Sequence, residues 1–92
     1  MNKQLARDIA DRLKSARLAA RLTQEEVALD FLLSRQAVSA WERGQSLPSA
    51  TQLYEIGILY GVSLDYLLYG IRSMPVTQSR AVIAALSVLP SV

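Results

Sequence analysis

Residues 23–44, TQEEVALDFLLSRQAVSAWERG, constrain this chain more than any other stretch. They hold two helix starts eleven residues apart, at Thr23 and Ser34. Each is a good N-cap, because its hydroxyl accepts a hydrogen bond from a first-turn N–H that has no partner within the helix. Glu26, three residues after Thr23, completes a capping box. The pattern predicts one short helix from about residue 24 to 31, a tight connection, and a second from about 35 to 43. Gly44 suits the left-handed position that ends the second helix. On the first helix Val27, Ala28 and Phe31 face inward. On the second, Val38 and Trp41 share a face, and Arg35, Gln36, Ser39 and Ala40 share the opposite one, which is free of large apolar side chains.

The chain has 92 residues, enough for one small domain. Its 51% hydrophobic content argues against disorder and allows a core. There is no cysteine and no histidine. The usual zinc and transition-metal sites, disulfides and most nucleophile–base pairs are therefore unavailable, and no enzyme, metal or cofactor is expected. No apolar run reaches the ~18–20 residues needed to cross a bilayer, and the charged start, MNKQLARDIADRLK, lacks the apolar region of a secretory signal. A cytoplasmic protein is the expectation. The net charge of +2 permits nucleic-acid binding without arguing for it. Residues 1–48 carry eight Lys/Arg and six Asp/Glu, against two of each in residues 49–92.

Residues 3–20 predict a first helix, with Leu5, Ile9, Leu13 and Ala16 as its apolar stripe. Arg7 and Asp11 stand at the i, i+4 spacing of an ion pair. Asp8 and Asp11 read as a solvated face, not as an acid–base pair. In the loop 44–49, Pro48 disfavours helix at Leu47. Ser49 and Gln52 form a second capping box for a helix over 50–60, in which Leu53, Ile56 and Tyr60 face inward and Gly57 marks a close helix contact. Ser63 caps a fifth helix over 64–69 with Leu64, Leu67 and Leu68 inward, and Gly61 and Gly70 end the last two. Tyr54, Tyr60, Tyr66 and Tyr69 read as the rim of a core.

Residues 71–76 read as a linker, and residues 77–89 as a sixth helix between Thr77 and Pro90, with a strand left open by its β-branched residues. Val82, Ile83, Leu86 and Leu89 are apolar there and need a partner surface. Dimerisation is favoured over packing back on the same chain. The division is thus residues 1–70 as the domain and 71–92 as linker and apolar segment.

Two short helices on a tight turn form a helix-turn-helix unit, whose second helix can enter the DNA major groove. The run TQEEVA…SRQAVSAWERGQSLPS, followed by LYEIGILYGVSLDYLLYG, closely resembles the lambda-repressor-like helix-turn-helix family of phage repressors, Cro proteins and xenobiotic-response-element regulators. The likeness covers roughly residues 12–70. It implies an all-α fold of five helices around one core; residues 71–92 lie outside the likeness and read as an additional helical or extended segment. It also implies a dimer that places two recognition helices in successive major grooves, ~34–36 Å apart.

Carried over by position, the resemblance makes Arg35, Gln36, Ser39 and Ala40 base-facing. Gln24, Ser34, Arg43 and Ser46 would contact the DNA backbone. Arg17 and Glu42 match an ion pair between the first and third helices, and Val27, Phe31, Leu33, Val38 and Trp41 match core positions. The chemistry agrees: Arg35 suits guanine O6/N7, Gln36 suits adenine N6/N7, and Ala40 offers a methyl. Leu32 departs from the pattern, since the family usually has a left-handed glycine there. A left-handed leucine costs about 1–2 kcal/mol. Either burial of Leu32 offsets that strain or the turn differs, and a near-normal turn is favoured.

The expectation is a bacterial or phage-encoded, dimeric regulator of transcription, a repressor on a palindromic operator in double-stranded DNA. Its rivals are an antitoxin that holds a toxin through the C-terminal segment and a helical protein-interaction module without DNA binding. A toxin or an anti-repressor would be the protein partner.

Overall fold

A computed structural model describes residues 3–70. The linker, the sixth helix and the dimerisation residues Val82, Ile83, Leu86 and Leu89 lie outside the described residues. Five helices follow one another, with no strand among the described residues: α1 (Lys3–Ala19), α2 (Gln24–Asp30), α3 (Arg35–Glu42), α4 (Ala50–Tyr60) and α5 (Leu64–Tyr69).

The helices start where hydroxyl side chains allow it. Thr23, Ser34, Ser49 and Ser63 each accept a hydrogen bond from the backbone N–H three residues on. Thr23 with Glu26 and Ser49 with Gln52 complete the two capping boxes. α2 and α3 each stop one residue short of the expected end, because Phe31 and Arg43 are already cap residues.

The helix ends share one device. A left-handed residue follows every helix: Arg21, Leu32, Gly44, Gly61 and Gly70. The next residue then donates its N–H back across the last turn: Leu22 to the Arg17 carbonyl at 3.2 Å, Leu33 to Ala28 at 2.8 Å, Gln45 to Ala40 at 3.0 Å and Val62 to Gly57 at 2.9 Å. This is the Schellman arrangement, which satisfies carbonyls that the helix leaves open. Leu22, Leu33 and Val62 then pack against the core. Leu32 does adopt the left-handed turn, at φ +54°. It is 92% exposed, so burial does not offset its strain.

α1 lies between the other parts, packed against α3, α4 and α5, while α2 packs on α3. Ile9 and Leu13 of α1 meet Val27, Val38, Ile56 and Leu67 as the most deeply buried large side chains. Phe31 and Trp41 add an edge-to-face pair, with ring centroids 6.3 Å apart. At Gly57 an added Cβ would stand 2.7 Å from the Val62 carbonyl oxygen. The close approach there is the chain's own return after α4, and not the neighbouring helix that the glycine suggested.

Candidate nucleic-acid interface

α3 is held by one face only. Val38 and Trp41 are buried, whereas Arg35 and Gln36 are exposed and Ser39 and Ala40 half-buried on the opposite side. The structure thus brings Arg35, Gln36, Ser39 and Ala40 onto one outward surface. Ser34 opens this helix, its Oγ accepting from the Ala37 N–H at 3.2 Å. Arg43 and Ser46 follow its end, both exposed.

The angle of α3 on the domain is fixed by a buried ion pair. Arg17 donates through Nε to Glu42 Oε2 at 2.7 Å and through Nη2 to Oε1 at 3.0 Å. Their side chains are only 8% and 4% exposed. Arg17 also donates to the Leu22 carbonyl at 2.8 Å. The bond to Glu42 raises the Arg17 pKa above its ordinary value, against the opposing effect of burial. Glu42 Oε1 accepts a further bond from Gln24 Nε2 at 3.1 Å. Gln24 is half-buried and tethered to α3, with one of its two amide hydrogens engaged in that bond.

The other end of α3 is met by the same turn of α2. Glu25 Oε1 lies 3.3 Å from Arg35 Nε, in a pair whose side chains are both well exposed. The first turn of α2 thus touches both ends of α3, through Gln24 at Glu42 and Glu25 at Arg35. An exposed pair of this kind is worth about 0–1 kcal/mol. That is weak enough for the Arg35 guanidinium to leave its carboxylate for another partner.

Two arginines of α1 do what spacing did not suggest. Arg12 reaches α5, donating from Nη1 to the Leu68 carbonyl at 3.1 Å and to Leu67 at 3.4 Å. It sits three residues from Ile9 and four from Ala16, on the edge of the buried stripe, which was the one available signal. Arg7 forms no ion pair with Asp11; the ion pairs among the described residues are Arg17–Glu42 and Arg35–Glu25. Arg7 instead borders a groove with Lys3, Ala6, Arg43 and Gly44.

A model of the helix-turn-helix family matches residues 13–67, more than half of the chain and the span from the middle of α1 into α5. Two curated relatives align with it. The chain is similar to the helix-turn-helix-type transcriptional activator BcrR of Enterococcus faecalis, with 37% identity over 60 residues, 65% of this chain and 29% of that protein. It is also similar to YqaE of Bacillus subtilis (strain 168), an uncharacterised helix-turn-helix-type transcriptional regulator, with 36% identity over 72 residues, 78% of this chain and 62% of that one. The matches thus span less than two thirds of either relative's length. No helix among the described residues is long and apolar enough to cross a membrane.

Proposed function

The chain belongs to the helix-turn-helix family, and on that premise we propose that it is a sequence-specific DNA-binding regulator of transcription, acting as a homodimer on a two-fold-symmetric operator. α3 enters the major groove, where Arg35 and Gln36 read guanine and adenine edges and Ser39 and Ala40 line the contact. Gln24, Ser34, Arg43 and Ser46 hold the flanking phosphates. Residues 1–70 are the DNA-binding unit. The apolar residues Val82, Ile83, Leu86 and Leu89 join two copies. A dimer seated on two successive grooves represses by occupying DNA that the transcription machinery needs. The protein acts in the cytoplasm of a bacterial cell, and its role is in binding and not in catalysis.

The observation that carries this reading is the outward face of α3. Two strong hydrogen-bonding side chains, Arg35 and Gln36, stand exposed on a short helix whose packing is left to Val38 and Trp41.

Selection of binding sites from random duplex DNA tests it. A palindromic site with half-sites one helical turn apart is expected, and recovery of no preferred sequence overturns the proposal. Arg35→Ala should weaken binding to the selected site by about 1–3 kcal/mol and relax one position per half-site, with little change on random DNA. An equal loss on both DNAs removes Arg35 from the reading face.

A further inference from the structure

Three cations converge on one small groove where α1 crosses the end of α3. Lys3 and Arg7 come from α1 and Arg43 from the cap of α3, with Ala6 and Gly44 between them. The groove is narrow in side chains for a local reason. Gly44 sits in the left-handed conformation, and a Cβ on it would meet Ala10 Cβ, the Ala6 carbonyl and Arg7 Cα at 3.8–3.9 Å. None of the three cations is among the ion-paired residues of the described chain. No carboxylate lines the groove. Such a concentration of unneutralised positive charge repels itself, so it is a poor stabilising device and a good anion receptor.

The position of the groove decides which anion. Gln36, Ser39, Ala40 and Arg43 recur at i, i+3, i+4 and i+7, so the groove continues the outward face of α3. α3 has eight residues, which span about 12 Å. The DNA major groove is also about 12 Å wide. With Arg35 and Gln36 at base edges, α3 is long enough for its far end to reach a phosphate strand that borders the groove.

We propose that Lys3, Arg7 and Arg43 form a clamp for DNA backbone phosphates, in which the start of α1 serves as a second anchor beside the α3 reading face. This rests on the reading of α3 given above. It extends the contact to Lys3 and Arg7, ahead of residues 13–67 where the family match lies. Lysine and arginine hold a phosphate as point charge and as fork respectively. The clamp contributes affinity and register but no base preference.

The test is the salt dependence of binding to the selected site and to random duplex, for the full chain and for Lys3→Ala, Arg7→Ala and Arg7→Lys. Both residues are exposed, and a urea midpoint checks that each variant stays folded. Each alanine variant should lower the slope of log K against log salt by about 0.9 per protomer. Affinity should fall by the same factor on both DNAs, and Arg7→Lys should restore most of the slope.

Wild-type slopes in both alanine variants overturn the clamp, as does a loss confined to the selected site. Thermal unfolding in inorganic phosphate and in chloride of equal ionic strength supplies the remaining arm. Stabilisation by phosphate that Arg7→Ala abolishes, together with an unchanged DNA slope, makes the groove a free-anion site and overturns the proposal. If the wild-type protein binds no DNA, the reading of α3 falls and the clamp with it. If it binds and the variants keep its slope, the clamp falls alone.

Discussion

Leu32 is one of two left-handed non-glycine residues among the described ones, a leucine at φ +54° whose side chain stands almost wholly in solvent. Glycine there would remove a strain of about 1–2 kcal/mol and give back about 0.5–1 kcal/mol through the freer unfolded chain. Leu32→Gly should therefore raise stability by roughly 0.5–1 kcal/mol, seen as a higher urea midpoint at unchanged slope. A midpoint equal to or below that of the wild type would mean that the exposed leucine is needed. Legibility at this scale followed locality. The N-caps at Thr23, Ser34, Ser49 and Ser63 each bond within three residues, so pattern alone could find them. Arg21 was missed because an arginine carries no mark of its left-handed φ of 61°. Arg12 was missed because its acceptors in α5 are 55 and 56 residues away, where spacing is blind.

Between elements, the decisive tie is the Arg17–Glu42 pair, 25 residues apart in sequence. No periodicity could announce it, and it entered the sequence reading only through a resemblance. With both side chains nearly excluded from water, removal of one partner leaves a buried charge. Glu42→Ala should cost about 3–5 kcal/mol, whereas the double replacement Arg17→Met/Glu42→Leu should recover most of that loss. Denaturant unfolding of the three proteins checks it, and a single variant as stable as wild type would show that water reaches Arg17. α2 and α3 would also lose the bond from Gln24, so the alanine variant should weaken DNA binding beyond its loss of stability. The candidate site divides the same way. Arg35 and Gln36 were legible as an open helix face, but the Glu25 partner of Arg35 depends on how two helices meet.

For the molecule as a whole, alkali is the condition that attacks the core. Burial pushes the Tyr60 phenol well above its ordinary value, Glu42 adds to the shift and Arg17 opposes it. The folded state therefore holds this proton more tightly than the unfolded chain does. Its contribution is fully present below about pH 10 and is lost as pH rises from there toward the raised folded value. Stability measured by urea titration should fall above about pH 10 in the wild type, and Tyr60→Phe should flatten that fall. A fall of the same depth in the variant would assign it to other groups. Arg17, also raised, acts with the same sign at still higher pH.

The closure of every helix by its own neighbours has a kinetic consequence. Each N-cap bonds three residues on, and each left-handed stop bonds within the last turn of the helix it ends. The ends of α2 to α5 are thus marked by local bonds, and tertiary packing supplies the stability that helices this short lack alone. Tertiary assembly then has to bring α1 against segments whose helix boundaries are already encoded locally. Helical chains with such local wiring belong to the fast end of folding, on the order of microseconds to milliseconds, and stopped-flow refolding of this one should fall in that range.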